Sequence, residues 1–469
     1  MNKANELIKN TAIITIGKLC TQLVSFFLLP LYTALLSKEE YGVVDLVITY
    51  STLLLPVITL SMDQGLFRFL IDVRDDSEKT SQYISTVIYT SACLLLFTVL
   101  ILFSIFFFTN NNVFLFFILV LISITVSNLL LQICRGLGDN MGYTIGSTVS
   151  AILQVVCNVL FLVVFKLSAQ GMMLASFVGN TMCGVICAIR CRLHRFVSLR
   201  KWDHQAFQEL SKYSLPLIPN QLSWWVLNAA DKLIVQFFIG VASNGLIAVA
   251  TKFSGVYVQF SSLFNISWSE SASLHYNEED AEQFFTSTIN EFFKLFLSLC
   301  CGIIVCMPLV FPLMINPEFG EAYNLIPIFM FSSLFNVIAS LYGVIYIAYK
   351  KTFEITKTAF YAAVLNIISH LLLVRSFGIY AAAISTAIGF FGMALFRYFN
   401  SRKYMTIKIS NYTILISLLM LLISFVSYYS GSNILQILSF IIVLIISIII
   451  NRNTLLQIWL TFKYRFIIN

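Results

Sequence analysis

The chain has 469 residues, 59% of them hydrophobic and 11% charged, and a formal net charge of +7. A soluble domain normally carries about a quarter charged residues, so this composition excludes a water-solvated globule and makes lipid the solvent of the fold. The expected class is an all-α polytopic membrane protein, because a helix satisfies its own backbone in hydrocarbon and about 20 apolar residues cross roughly 30 Å.

Fourteen apolar segments follow in chain order, near 11–36, 42–66, 82–108, 112–133, 143–165, 170–190, 213–238, 243–266, 290–315, 323–348, 356–373, 377–398, 410–428 and 433–451. Pro30, Pro56, Pro216, Pro219 and Pro327 are compatible with helical spans, since neighbours in a bundle can satisfy carbonyls that proline frees. The first run contains Lys18 and is followed by Ser37-Lys-Glu-Glu instead of a small-residue cleavage site, so it is read as a span and not as a removable signal.

Basic residues set the orientation. With the amino terminus in the cytoplasm, 22 lysines and arginines fall on the inner side, against Lys38, Lys166 and Arg375 outside. That asymmetry predicts both termini to be cytoplasmic. The acidic turn Glu278-Glu-Asp280 departs from it, but acidic groups count little in this rule. The same bias accounts for the positive net charge without nucleic acid, and the run from Arg190 to Lys201 can rest on anionic lipid.

The ten cysteines lie almost entirely in apolar spans, with Cys183, Cys187 and Cys191 spaced by four along one helix face. No Cys-x-x-Cys turn or histidine cluster accompanies them, so helix packing is the expected role and no metal is expected. A long-period similarity is also present. Asn158 to Gly171 and the small-residue helix after it match Asn366 to Gly378 and its successor, about 208 residues on. Glu40-Tyr-Gly42 likewise lines up with Asn244-Gly245. An offset of six spans preserves membrane orientation, so two parallel six-helix bundles are expected, 1–190 and 212–398, joined by a basic cytoplasmic linker at 191–211. Residues 399–469 then add two further spans and a cytoplasmic tail. Paired bundles with little mass outside the membrane point to alternating-access transport.

Charges within spans mark the expected path, because an isolated charge in hydrocarbon is costly and normally faces a bundle interior. Lys18, Lys232 and Lys252 are candidates for a phosphate-bearing substrate, since ammonium groups are compact phosphate partners. Lys18 and Lys294 can instead snorkel to an interface, and Asp231 can serve as an ion-pair member that neutralises Lys232 or Lys252. Asp63, Arg68 and His370 are further charges or titratable groups in spans. Amides, including Gln22, Asn220, Gln221, Asn228, Gln259, Asn265, Asn336 and Asn366, extend the polar path and can bind sugar hydroxyls or join helices. Trp224 and Trp225 can stack on sugar faces, or pack and anchor in the ordinary way.

Several stretches carry a resemblance to a known family: Asn10-Thr-Ala through Leu29-Pro-Leu-Tyr32-Thr, Leu36-Ser-Lys-Glu-Glu-Tyr-Gly42, Gly65-Leu-Phe-Arg68-Phe, Arg135-Gly-Leu-Gly138, Lys212-Tyr-Ser-Leu-Pro216 through Pro219, and Leu227-Asn228-Ala-Ala-Asp231-Lys232. In their order and spacing the chain resembles the bacterial polysaccharide-biosynthesis flippases, within the multidrug, oligosaccharidyl-lipid and polysaccharide exporter superfamily. The resemblance implies a V-shaped, two-bundle carrier that moves undecaprenyl-diphosphate-linked oligosaccharides, O-antigen or capsular repeat units, from the inner to the outer leaflet. It also implies charged cleft residues at Arg68 and at Asp231-Lys232. Membrane lipids, and glycan polymerases or other assembly proteins, are the partners it implies.

No Walker loop, His-Glu-x-x-His site or nucleophile elbow is present, so an enzyme is not expected, and neither is a cofactor. With no nucleotide site, the drive is an ion or potential gradient or consumption of product outside, and the residues do not choose among them. Three alternatives remain beside glycan export: a lipid-linked peptidoglycan-precursor flippase, a multidrug or metabolite exporter, and a noncatalytic scaffold in a glycan assembly complex.

Overall fold

A computed structural model describes residues 26–452, 454 and 456. The described residues form helices α1 Leu29–Leu35, α2 Lys38–Ile58, α3 Met62–Asp72, α4 Ser77–Thr109, α5 Val113–Gly136, α6 Asn140–Val159, α7 Ser168–Arg190 and α8 His204–Ser214. They continue with α9 Leu217–Phe238, α10 Val241–His275, α11 Ala281–Met314, α12 Ile326–Ala348, α13 Thr352–Phe377, α14 Tyr380–Ser401, α15 Asn411–Tyr429 and α16 Asn433–Ile450. Twelve helices among the described residues are long and apolar enough to cross a membrane, so the protein is an all-α polytopic membrane protein. Helix α9 is not among the twelve, although it has 22 residues. Its run of Asn220, Gln221, Asn228, Asp231, Lys232 and Gln236 explains the lower hydropathy. Most of the expected first span, including Lys18 and Gln22, lies outside the described residues.

Helix α2 starts where a capping box places it. Ser37 accepts the Glu40 N–H at 3.2 Å while Glu40 accepts the Ser37 N–H at 2.9 Å, which satisfies two otherwise unpaired donors. The expected single span at 42–66 is corrected to two helices. Pro56 removes a backbone donor within α2, Leu60 and Ser61 take left-handed φ values of 50° and 53°, and α3 begins afresh at Met62. The Ser61 N–H closes this turn on Pro56 O at 3.0 Å.

By contact, the chain divides into two compact units: Met1–Trp225 with Gly240–Ala248, and Val226–Ile239 with Val249–Asn469. In the first, Met62, Leu66 and Leu70 of α3 pack among Ile84 and Val87 of α4, Leu130 and Ile133 of α5, Cys183 and Cys187 of α7, and Leu210 of α8. The basic stretch after α7 folds into two 3-10 turns and then α8. Its backbone is fastened to α4, with Ser85 Oγ donating to Phe196 O at 2.9 Å and the Asp203 N–H donating to Thr86 Oγ1 at 3.1 Å.

The two glycines that the repeat aligns meet within this unit. A Cβ on Gly42 would lie 2.3 Å from Val241 O, and one on Gly245 would lie 2.2 Å from Lys38 O. The contact is reciprocal, the start of α2 against the start of α10, and only glycine on both sides permits backbones so close.

In the second unit α12 is the most enclosed span and packs on α11 and α14; α14 also packs on α13, while α15 and α16 lie against α11. Helix α15 is held at its end by Tyr428, whose ring stacks on Tyr323 at 4.2 Å and whose hydroxyl donates to Tyr323 O at 2.6 Å. Arg397, near the end of α14, is a fully buried core residue. It donates to Ala339 O of α12 at 2.8 Å and to Thr358 Oγ1 of α13 at 3.0 Å, so one guanidinium joins three helices.

Candidate functional site

The α2–α3 break builds a polar cluster in the first unit. Asp63 stands in the first turn of α3, where the positive end of the helix dipole favours a carboxylate, and it is buried. It accepts Thr59 Oγ1 at 3.0 Å and Asn128 Nδ2 of α5 at 3.1 Å. Gln221, at the start of α9, donates to Ser61 Oγ at 2.8 Å. The unwound turn is thus tied to two further helices by side-chain polar groups. Asn128 was not among the residues singled out by sequence; only its position opposite the break gives it a role.

Arg68 lies about one and a half turns farther along α3. It is exposed and pairs with Asp72 at 2.7 Å, one turn on in the same helix. Trp224 and Trp225 are half-buried on α9, and the Trp225 indole N–H points at Thr49 O and Thr52 Oγ1 of α2, 3.3 Å from each. That hydrogen bonding is a helix-joining role and leaves only ring faces for a ligand. Lys18 lies outside the described residues.

The second unit holds the other candidates. Asn228, Asp231 and Lys232 fall at i, i+3 and i+4 on α9, so they share one face. Asn228 is exposed, Lys232 half-buried and Asp231 buried, with an Asp231 carboxylate oxygen accepting the Lys232 N–H at 3.0 Å. On α10, Lys252 and Gln259 are half-buried and seven residues apart, about two turns. Asn366 and His370 are fully buried one turn apart on α13, and Asn366 donates to Thr386 Oγ1 of α14 at 3.4 Å. Gly389 of α14 lets Asn366 and Leu227 approach, because an added Cβ would sit 3.0 Å from Asn366 Cβ and 3.3 Å from a Leu227 methyl.

Charge is also organised where α6 begins and α7 ends. Arg190 grips Asp139 with two bonds of 2.8 and 2.9 Å, and the Gly142 N–H donates to the same carboxylate at 2.8 Å. The Arg190 guanidinium, chiefly, holds the Asp139 carboxyl below its ordinary value, with that N–H assisting and partial burial opposing. Arg135 lies over the Phe67 ring at 4.3 Å, and Arg74 donates to Gly136 O at 2.7 Å. These basic groups are committed to helix ends and aromatic faces. Among the described residues no cluster of three or more His, Cys, Asp or Glu is placed to hold a metal ion.

Residues 7–269 match the family described as Polysaccharide biosynthesis protein, over more than half of the chain. The chain belongs to this family. No curated protein matches it in sequence. Among solved structures, the chain is similar to the Lipid II flippase MurJ in an inward closed conformation, at TM-score 0.71 and 17% identity, covering 95% of this chain and all of that one. It is similar to an inward-facing multidrug resistance MATE family transporter of the MOP superfamily at TM-score 0.67 and 14% identity, over 83% of this chain and 94% of the other. An outward-facing MATE family transporter of the same superfamily gives TM-score 0.60 and 12% identity over 84% and 95%. At these identities the likeness is one of fold. The fold is therefore one that these membrane transporters share.

Proposed function

We propose that this protein is a flippase that carries undecaprenyl-diphosphate-linked oligosaccharide repeat units, of O-antigen or capsule, across the bacterial cytoplasmic membrane by alternating access. The observation that carries the reading is the family match over residues 7–269, on a fold shared with transporters. The carrier has fourteen spans, in two six-helix bundles plus two carboxy-terminal helices, and both termini are cytoplasmic. Lys18, Arg68, Lys232 and Lys252 recognise the diphosphate, Asp231 balances the lysines, and Asn228, Gln259, Trp224 and Trp225 meet the sugar. Binding shifts the population from inward-open toward closed, and no covalent bond changes.

The test is gene deletion followed by leaflet-resolved measurement of lipid-linked oligosaccharide. Accumulation on the cytoplasmic side, relieved by restoring the protein, is the expected result; no accumulation overturns the reading. A second reading, a flippase for a lipid-linked peptidoglycan precursor, is favoured by one observation, the full-length structural likeness to a Lipid II flippase. Reconstitution separates the two: transport of that precursor with rejection of the O-antigen or capsular unit selects the second reading. An exporter of drugs predicts instead an altered resistance profile, and a scaffold predicts tolerance of neutralised charges.

A further inference from the structure

Cys134, in the last turn of α5, and Cys191, the residue that ends α7, place their sulfurs 2.9 Å apart. The sulfurs sit in the hydrophobic core of the first unit, beside Cys183 and Cys187, and Cys134 Sγ also points at Cys187 O at 3.9 Å. We propose that Cys134 and Cys191 form a peroxide-responsive thiol pair whose oxidation to a disulfide staples the end of α5 to the end of α7. A disulfide has an S–S length of about 2.05 Å, so closure requires the sulfurs to move together by only ~0.9 Å.

Burial orders the steps. Cys191 is 8% exposed and Cys134 is not exposed at all, so a small peroxide meets Cys191 first. The Cys191 thiolate attacks one peroxide oxygen, the O–O bond breaks, and hydroxide leaves with Cys191 as a sulfenic acid. The Cys134 thiol then attacks that sulfur, its proton passes to the departing oxygen, the S–O bond breaks, and water leaves. Two thiols give up two electrons and two protons, hydrogen peroxide takes them, and the products are one disulfide and two waters. In a reducing cytoplasm the pair rests as thiols, and a thiol reductant reverses the staple. Cys93, exposed on α4, lies outside the pair and serves as the internal control.

The experiment treats the purified full chain in detergent with hydrogen peroxide, alkylates free thiols in denaturant, and maps peptides without reduction. A Cys134–Cys191 linkage, lost on adding dithiothreitol, is expected in the wild type. In Cys134→Ser, dimedone should trap Cys191 as a sulfenic acid; in Cys191→Ser, Cys134 should remain an alkylatable thiol. The mapping in the wild type is independent of whether either variant folds. Both residues fully alkylatable after peroxide, or Cys134 linked to Cys183 or Cys187 instead, overturns the assignment.

Discussion

Gly343→Ala tests whether Arg397 holds α12, α13 and α14 together. The added Cβ would lie 2.6 Å from Arg397 Nη1 and 3.5 Å from Cζ. Non-bonded heavy atoms prefer about 3.5–4.0 Å, so the guanidinium must retreat by roughly 1 Å. Its 2.8 Å bond to Ala339 O then stretches beyond hydrogen-bond range. A hydrogen bond from a charged donor is worth about 1.5–3 kcal/mol, and Gly→Ala inside a helix returns about 1 kcal/mol of propensity. The expected net cost is therefore about 0.5–2 kcal/mol in the wild type. In an Arg397→Met background the clash and the bond are both gone, and the same Gly343→Ala should stabilise by up to about 1 kcal/mol. The sign reverses. The assay is SDS-titrated unfolding of the four proteins in detergent, read by circular dichroism as a double-mutant cycle with a coupling of about 1.5–3 kcal/mol. An equal cost of Gly343→Ala in both backgrounds would falsify the three-helix role of Arg397.

Gly42→Ala and Gly245→Ala should each destabilise by about 1–3 kcal/mol, because the obstructing atoms are backbone carbonyls that cannot swing away. Once one side chain has parted the two helix starts, the second costs less, so the double variant should fall short of the sum in thermal unfolding; strict additivity would show the contacts to be independent. For Asp139, the folded carboxyl titrates below its unfolded value of about 3.9, so its contribution is complete above that pH and fades as pH falls through the lower folded value. Asp139→Asn keeps the cap on α6, so it should lower stability modestly at pH 7, since exposure screens the pair, and converge with wild type in acid; a gap unchanged by acid would place the effect outside the ion pair. Lys252→Ala and Arg68→Ala should reduce glycan export severalfold at matched membrane abundance, and unaltered export in either variant would strike that residue from the site.

Of the fourteen expected spans, hydropathy alone located most of those that the described residues bear out to within several residues, because in hydrocarbon the apolar length needed to cross is set by the solvent. It underestimated α10 and α11, which run on to His275 and begin at Ala281, since a helix does not end where the apolar run ends so long as its own hydrogen bonds continue. The start of α2 at Lys38, four residues before the expected span, is set locally by the Ser37–Glu40 capping box. The break at Leu60-Ser61 was hidden. Pro56 is tolerated in many spans, and what stops the helix here is a left-handed turn stabilised by Asp63, Asn128 and Gln221, two of them far away in the chain. Of the candidate site, the residue types and their helical faces were legible: Asn228, Asp231 and Lys232 share a face by spacing alone. Burial was not, because charge near a span end reads the same whether the side chain reaches water or the core. Tertiary structure alone sent Arg397 inward to oxygens on two other helices, set Gly42 against Gly245, and brought Cys134 to Cys191 across 57 residues. Each of those outcomes depends on a partner distant in sequence, and no local pattern encodes a partner.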